Sequence, residues 1–248
     1  MKRVLSVLLA AVLTAGLLYL PACAVEGSDQ TKPAENAVQM KPAEDPCPAI
    51  VDGMTTEEKI SQMLMPSFRY YTDAGGKQQP LEEITPDVTE ILRKRGFAGV
   101  ILFAQNAGET ARTVRLVDAM QTANASADGR PQLLTAIDQE GGRVTRLGRG
   151  TQGPGNMALG AVGDGNATRE MAGIIGQELA AIGFNFNFAP VVDVNSNPAN
   201  PVIGTRSFSD DPYTAADQGV AFMEGLREAG IISTLKHFPG HGDTAPTP

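Results

Sequence analysis

The stretch QLLTAIDQEGGRVTR, residues 132–146, decides the fold. Its first part, QLLTAID, is a short apolar run that reads as a buried strand. Asp138 stands where that run meets a loop. Gly141 and Gly142 let the backbone turn sharply beside a ligand, and Arg143 and Arg146 follow. A strand that ends in a carboxylate, a glycine turn and guanidinium groups delivers chemistry at its C-terminal end.

Working outward, the same alternation repeats. Upstream, MLMPSF (63–68) and GVILF (99–103) read as buried strands. Between them PDVTEILRKRG has Pro86 at a helix start, Val88, Ile91 and Leu92 on one face, and Gly96 as a stop. ETARTVRLVDAMQTANAS carries helical spacing at Val114, Leu116, Val117 and Met120. Downstream come a helix over ATREMAGIIGQELAAIG ended by Gly183, a strand over FNFNFAPVVDV, a helix over TAADQGVAFMEGLREAG and a strand over IISTLKHF. Apolar strands alternating with helices predict an α/β domain with a parallel sheet covered by helices. A closed barrel and an open doubly wound sheet both fit. The strand ends favour the barrel, because Asn106, Asp138, Asp193, Lys236 and His237 all follow strands and a barrel gathers such residues around one mouth. The predicted fold is a (β/α)8 TIM-barrel type, with about five of its eight βα units in this chain.

The chain has 248 residues, a formal charge of −8, 42% hydrophobic residues and no tryptophan. That is a globular composition. The acidic balance, with no basic stripe, argues against nucleic acid as a partner. MKR followed by VLSVLLAAVLTAGLLYL reads as a signal peptide over residues 1–22. Leu20 and Ala22 before Cys23 resemble a bacterial lipoprotein box, which makes Cys23 the lipidated N-terminus and the protein an exported, membrane-anchored lipoprotein of the cell envelope. Ordinary secretion after cleavage near Ala22 or Ala24 is the alternative. Residues 23–48, rich in Ala, Pro, Glu and Lys, read as a tether, and the domain spans 49–248. With Cys23 lipidated, Cys47 has no disulfide partner; a Cys23–Cys47 bridge is the other possibility.

Three constellations carry chemistry. Asp138 with Arg143 and Arg146 suits a polyol, since carboxylates accept from hydroxyls and guanidinium groups donate to them. A structural ion pair closing the loop is an equal reading. The long loop NFAPVVDVNSNPANPVIGTRSFSDDP (187–212) contributes Arg206, either to a ligand or to a pair with Asp210 or Asp211. Both histidines sit in KHFPGHGDT (236–244). His237 and His241 are four apart, but Pro239 and Gly240 lie between them, so the helical zinc-ligand geometry fails and no metal is expected. Lys236 and His237 read as a polar cluster at a strand end, with a satisfied core histidine as the alternative for His237.

Taken in order, MTTEEKISQMLM, GVILFAQN, DQEGGRVTR, NFAPVVDV, GTRSF and KHFPGHGDT resemble glycoside hydrolase family 3, most of all its bacterial β-N-acetylhexosaminidase branch, from about Asp52 to Ala245. The resemblance implies a (β/α)8 barrel and hydrolysis of terminal non-reducing β-linked N-acetylglucosamine from peptidoglycan fragments or chitin-type oligosaccharides. It implies a retaining mechanism through a glycosyl-enzyme, with no metal or organic cofactor. It implies that Asp138, Arg146, Arg206, Lys236 and His237 hold the sugar. The family places an Asp-Ser-His acid/base motif just after KHFPGHGDTA and a nucleophilic Asp later in the barrel. Here Pro246, Thr247 and Pro248 follow instead. The expectation is therefore a truncated form with no catalytic residue of its own and little glycosidase activity. Two competitors stand beside a hydrolase: a surface lipoprotein that binds amino sugars without cleaving them, and an inactive fragment.

Overall fold

The computed structural model describes residues 45–125 and 130–245. The expected signal peptide, Cys23, most of the tether and the final Pro-Thr-Pro lie outside the described residues. The chain from Pro46 onward forms one compact unit. It opens with α1 (Cys47–Gly53), so the expected boundary at Ala49 falls inside a helix. Next comes α2 (Thr56–Ser61). Thr55 starts α2 with a capping box, its hydroxyl accepting from the Glu58 N–H while the Glu58 carboxylate accepts from the Thr55 N–H. A hairpin follows, β1 (Tyr70–Thr72) and β2 (Gln78–Pro80). Then come α3 (Pro86–Arg95), β3 (Gly99–Leu102), α4 (Thr110–Asn124), β4 (Leu134–Ile137), α5 (Asn156–Val162), α6 (Gly165–Ile182) and β5 (Phe186–Asn187). A 3-10 turn at Gly204–Arg206, α7 (Pro212–Glu228) and β6 (Ile232–Ser233) complete the order.

The sheet is parallel and runs β3-β4-β5-β6 in chain order. A doubly wound sheet reverses its strand order at a switch point. This sheet never does, so each connection steps the same way around the wall. Ser67 adds a fifth position through a parallel bridge to Ile101. The architecture is that of a (β/α)8 barrel, five successive wall positions of which the described residues form.

The strands are shorter than their apolar runs predict. MLMPSF is not a buried strand: only Ser67 pairs, and Met63 is 83% exposed. Pro66 has no N–H to give a ladder; its carbonyl accepts from Ile101 instead. Pro190 breaks FNFNFAPVVDV in the same way. β5 is confined to Phe186–Asn187, and pairing resumes as one bridge between Val191 and Lys236. The hairpin, α1, α2 and α5 were not predicted. Asp73 shapes the hairpin turn, accepting from the N–H groups of Gly75 and Lys77 and from the Gln79 amide.

The helices follow their spacing. α3 stops at Gly96, which is left-handed with φ +61°, and α6 stops at Gly183. Val88 and Leu92 are buried, but Ile91 is exposed, and so is Val114 on α4. Both expected core positions lie at the edge of their apolar stripe. Leu116, Val117 and Met120 of α4 pack with Val100, Leu102 and Ile137 of the sheet, and with Ile175, Leu179 and Phe222 of the later helices. The core is therefore the layer between the sheet and the helices.

α6 and α7 meet through small residues. A Cβ placed on Gly225 would lie 2.2 Å from the Arg169 carbonyl oxygen, whereas one on Gly173 meets nothing closer than 3.9 Å. Glycine is required at the first position and merely present at the second. Gly225→Ala is expected to destabilise by about 1–3 kcal/mol through overpacking, and Gly173→Ala to stabilise by about 0.4–1 kcal/mol by narrowing the unfolded ensemble. Denaturant titration of the two variants checks the opposite signs.

Candidate active site at the strand ends

The parallel sheet puts the C-terminal ends of β4, β5 and β6 on one rim, and the charged groups collect there. Asp138 follows β4 directly. Lys236, reached from β6, donates to Asp138 Oδ1 at 2.7 Å and stands 2.7 Å from Glu140 Oε1. Arg206, from the long loop after β5, takes Glu140 in a two-point fork: Nε donates to Oε2 at 2.9 Å and Nη2 to Oε1 at 2.8 Å. The Glu140 side chain is only 2% exposed. Such forks are charge-assisted and fix orientation as well as distance. The Glu140 contacts raise the Arg206 guanidinium's hold on its proton, with smaller help from Asp138 and Asp193.

A second cluster adjoins it. Asp193, buried, accepts from the backbone N–H of His237 at 3.2 Å and of His241 at 2.7 Å. Its other oxygen lies 2.6 Å from His237 Nδ1. The carboxylate thus orients the imidazole through Nδ1 and leaves Nε2 as the unengaged ring nitrogen among the described residues. His241 Nδ1 lies 2.7 Å from the Thr244 hydroxyl. Asn200 ties the two loops together: its amide donates to the His241 and Gly242 carbonyls, and its oxygen accepts from Val202 and Ile203.

The loop that carries Asp138 and Glu140 is held from below. The buried Asn187 amide accepts from the Gln139 N–H and donates to the Gln139 carbonyl, both at 2.9 Å. Gln139 Oε1 in turn accepts from the N–H groups of Arg146 and Leu147. Glu140 N–H donates to the Val144 carbonyl, closing a tight turn over Gly141 and Gly142. A Cβ on Gly142 would come within 2.7 Å of Gly155 Cα at a φ of +56°, so the turn admits glycine alone.

Four of the expected residues, Asp138, Arg206, Lys236 and His237, therefore converge. Arg146 does not join their ion pairs. Its main chain braces the loop, and its buried Nε has no hydrogen-bond partner among the described residues. The expected pairing of Asp138 with Arg143 or Arg146 gives way to Lys236. Arg206 pairs with Glu140 rather than Asp210 or Asp211, and Asp211 instead caps α7 by accepting from Thr214. Asn106 is structural: it accepts from Phe103 N–H and donates to the Leu81 carbonyl, pinning the hairpin segment to the wall. Sequence reasoning missed Glu140 as a site residue. Its signal was present, since Glu140 lies two residues from Asp138 at the strand period that puts both on one side. Asp193 was noted only as a strand-end group; its grip on both histidine N–H groups has no sequence signal.

A barrel rim bearing carboxylates, a lysine and an arginine from successive strand ends defines a polar-ligand site of the kind this architecture uses for catalysis. Residues 55–247 match the family described as Glycosyl hydrolase family 3 N terminal domain. The chain is 44% identical over 202 residues to a Beta-hexosaminidase A of Pseudoalteromonas piscicida, an alignment covering 77% of this chain and 34% of that protein. It superposes on a glycoside hydrolase family 3 β-N-acetylglucosaminidase from Paenibacillus sp. str. FPU-7 with a TM-score of 0.71 at 41% identity, covering 79% of this chain and 35% of that one. It also matches NagZ from Neisseria gonorrhoeae, solved with N-trifluoroacetyl-D-glucosamine, at 28% identity and a TM-score of 0.63, covering 73% and 52% of the two chains. The chain belongs to glycosyl hydrolase family 3, and it spans about a third of the length of the curated relative, from the 34% coverage.

Asn187→Ala is expected to strip both polar main-chain groups of buried Gln139, each costing about 1–3 kcal/mol when left bare. A fall in stability of that order, read by chemical denaturation, is the anticipated result. A change under 0.5 kcal/mol shows that the loop stands without the amide.

Proposed function

We propose that this site grips the terminal non-reducing N-acetylglucosamine of a β-linked glycan, and that the protein acts as a β-N-acetylhexosaminidase working with retention of configuration. The observation that carries the reading is the Asp138–Lys236 pair. Asp138 Oδ2 has no hydrogen-bond partner among the described residues, while Oδ1 holds Lys236. The free carboxylate oxygen accepts from a sugar hydroxyl and the neighbouring ammonium donates to a hydroxyl oxygen, which together meet the demand a sugar ring makes. The N-trifluoroacetyl-D-glucosamine bound by the Neisseria relative supports an amino sugar as the ligand, with Arg146, Arg206 and His237 supplying further donors around it. Peptidoglycan fragments or chitin-type oligosaccharides are the substrates in this reading. Export and anchoring through lipidated Cys23 would bring the site to such glycans in the cell envelope; plain secretion is the alternative.

A second reading, amino-sugar binding without cleavage, has one observation in its favour. Asp138, Glu140 and Asp193 are each engaged by a cation or an imidazole, so these carboxylates are arranged to hold rather than to attack. Turnover of an aryl N-acetyl-β-D-glucosaminide by a form that also carries the Asp-Ser-His motif and the later nucleophilic Asp separates the two.

Calorimetric titration with N-acetylglucosamine tests both. Asp138→Ala should weaken binding at least tenfold, through loss of charge-assisted bonds of about 1.5–3 kcal/mol each, while keeping a cooperative melt. Full affinity in that variant, or no binding by the folded wild type, removes the sugar reading. For the anchor, Cys23→Ser should abolish incorporation of labelled palmitate in a bacterial host; undiminished labelling refutes lipidation at Cys23.

A further inference from the structure

We propose that Glu140 is a positioning residue that sets the aim of both site cations without itself touching the ligand. The inference rests on the sugar-binding reading above. Glu140 has no oxygen to spare: Oε1 meets Arg206 Nη2 and Lys236 Nζ, and Oε2 meets Arg206 Nε. Its side chain is 2% exposed, against 12% for Lys236, 15% for Arg206 and 17% for Asp138. The carboxylate therefore lies beneath the layer that a ligand reaches. Its backbone cannot drift, because Gln139 is clamped by Asn187 and the Glu140 N–H is closed onto Val144.

The consequence for the cations is specific. The fork to Glu140 uses Nε and one N–H of Nη2, and Nη1 donates to the Val202 carbonyl at 3.2 Å. Arg206 thus has one rotamer and one plane, with its remaining N–H groups fixed in direction. Lys236 is drawn between two carboxylates, Asp138 and Glu140. Without Glu140, Lys236 would have Asp138 alone and would fold onto it, competing with the hydroxyl that Asp138 Oδ2 is left to receive. Arg206 would lose its plane and turn toward the carboxylates of Asp138 and Asp193, whose fields already act on it. One buried carboxylate thus keeps both cations away from Asp138 Oδ2, the oxygen left for the ligand.

Glu140→Gln keeps the shape and removes the charge. It should fold, as judged by circular dichroism, and bind N-acetylglucosamine at least tenfold more weakly than wild type. Glu140→Ala should bind equally weakly and regain a measurable part of the loss in tens of millimolar formate, which a merely structural role would not do. In wild-type protein the Arg206 Nε–H resonance should be sharp and slow to exchange, and that of exposed Arg143 broad and fast. Unchanged sugar affinity in the folded glutamine variant, a lowered melting temperature with no loss of affinity, or an Arg206 signal exchanging as fast as that of Arg143 overturns the assignment. The resonance needs neither a variant nor a sugar. If the folded wild type fails to bind sugar, the sugar reading falls, and the resonance still decides whether Glu140 holds Arg206.

Discussion

The side-chain amide of Asn187 does the work of a strand. β5 ends at Asn187, and β4 ends one residue before Asp138. Beyond those points the ladder has no regular partner, yet Gln139 must stay aligned for Glu140 to reach its cations. The Asn187 amide supplies one donor and one acceptor to the same residue's main chain, reproducing with a side chain what a paired strand would give. Gln139 then passes that alignment on, through Oε1, to Arg146 and Leu147. The loop bearing the site carboxylates is in effect an extension of the sheet, which suits a group that must be held within a fraction of an ångström.

The four long helices were legible in the sequence, and the short helices and the strand lengths were not. Helix stops are local events: Gly96 and Gly183 each need only their own φ and the turn before them. Strand length depends on a neighbour's ability to pair, and here Pro66 and Pro190 interrupt apolar runs that otherwise read as continuous. The hairpin did leave a trace, in the Asp73-Ala74-Gly75-Gly76 turn between Tyr70–Thr72 and Gln78–Pro80. The seven residues of α5, set between Gly155 and Gly163, are too few to display a helical period.

The site divides along the same line. That Asp138, Lys236 and His237 stand at strand ends follows from the order of apolar runs. Which charge meets which does not, because the partners are 66 residues apart for Arg206 and Glu140 and 98 apart for Lys236 and Asp138. A residue's type announces that it needs a partner, and only the folded wall says who that is. Arg146 illustrates the limit: the next guanidinium downstream of Asp138 after Arg143, it ends up bracing the loop with its main chain.

Those separations also set a timetable during synthesis. The chain emerges N-terminus first, so Asp138 and Glu140 leave the ribosome well before the groups that neutralise them. Arg206 reaches Glu140 after 66 further residues, and Lys236 closes the pair with Asp138 after 98. At roughly 5–20 residues per second the nascent rim spends about 5–20 s with its carboxylates unmatched. Burial of two bare carboxylates is strongly unfavourable, so the rim stays hydrated during that interval. The helices behind the sheet can dock while the mouth waits, and the segment after β6, which brings Lys236, both ends the delay and completes the ion pairs.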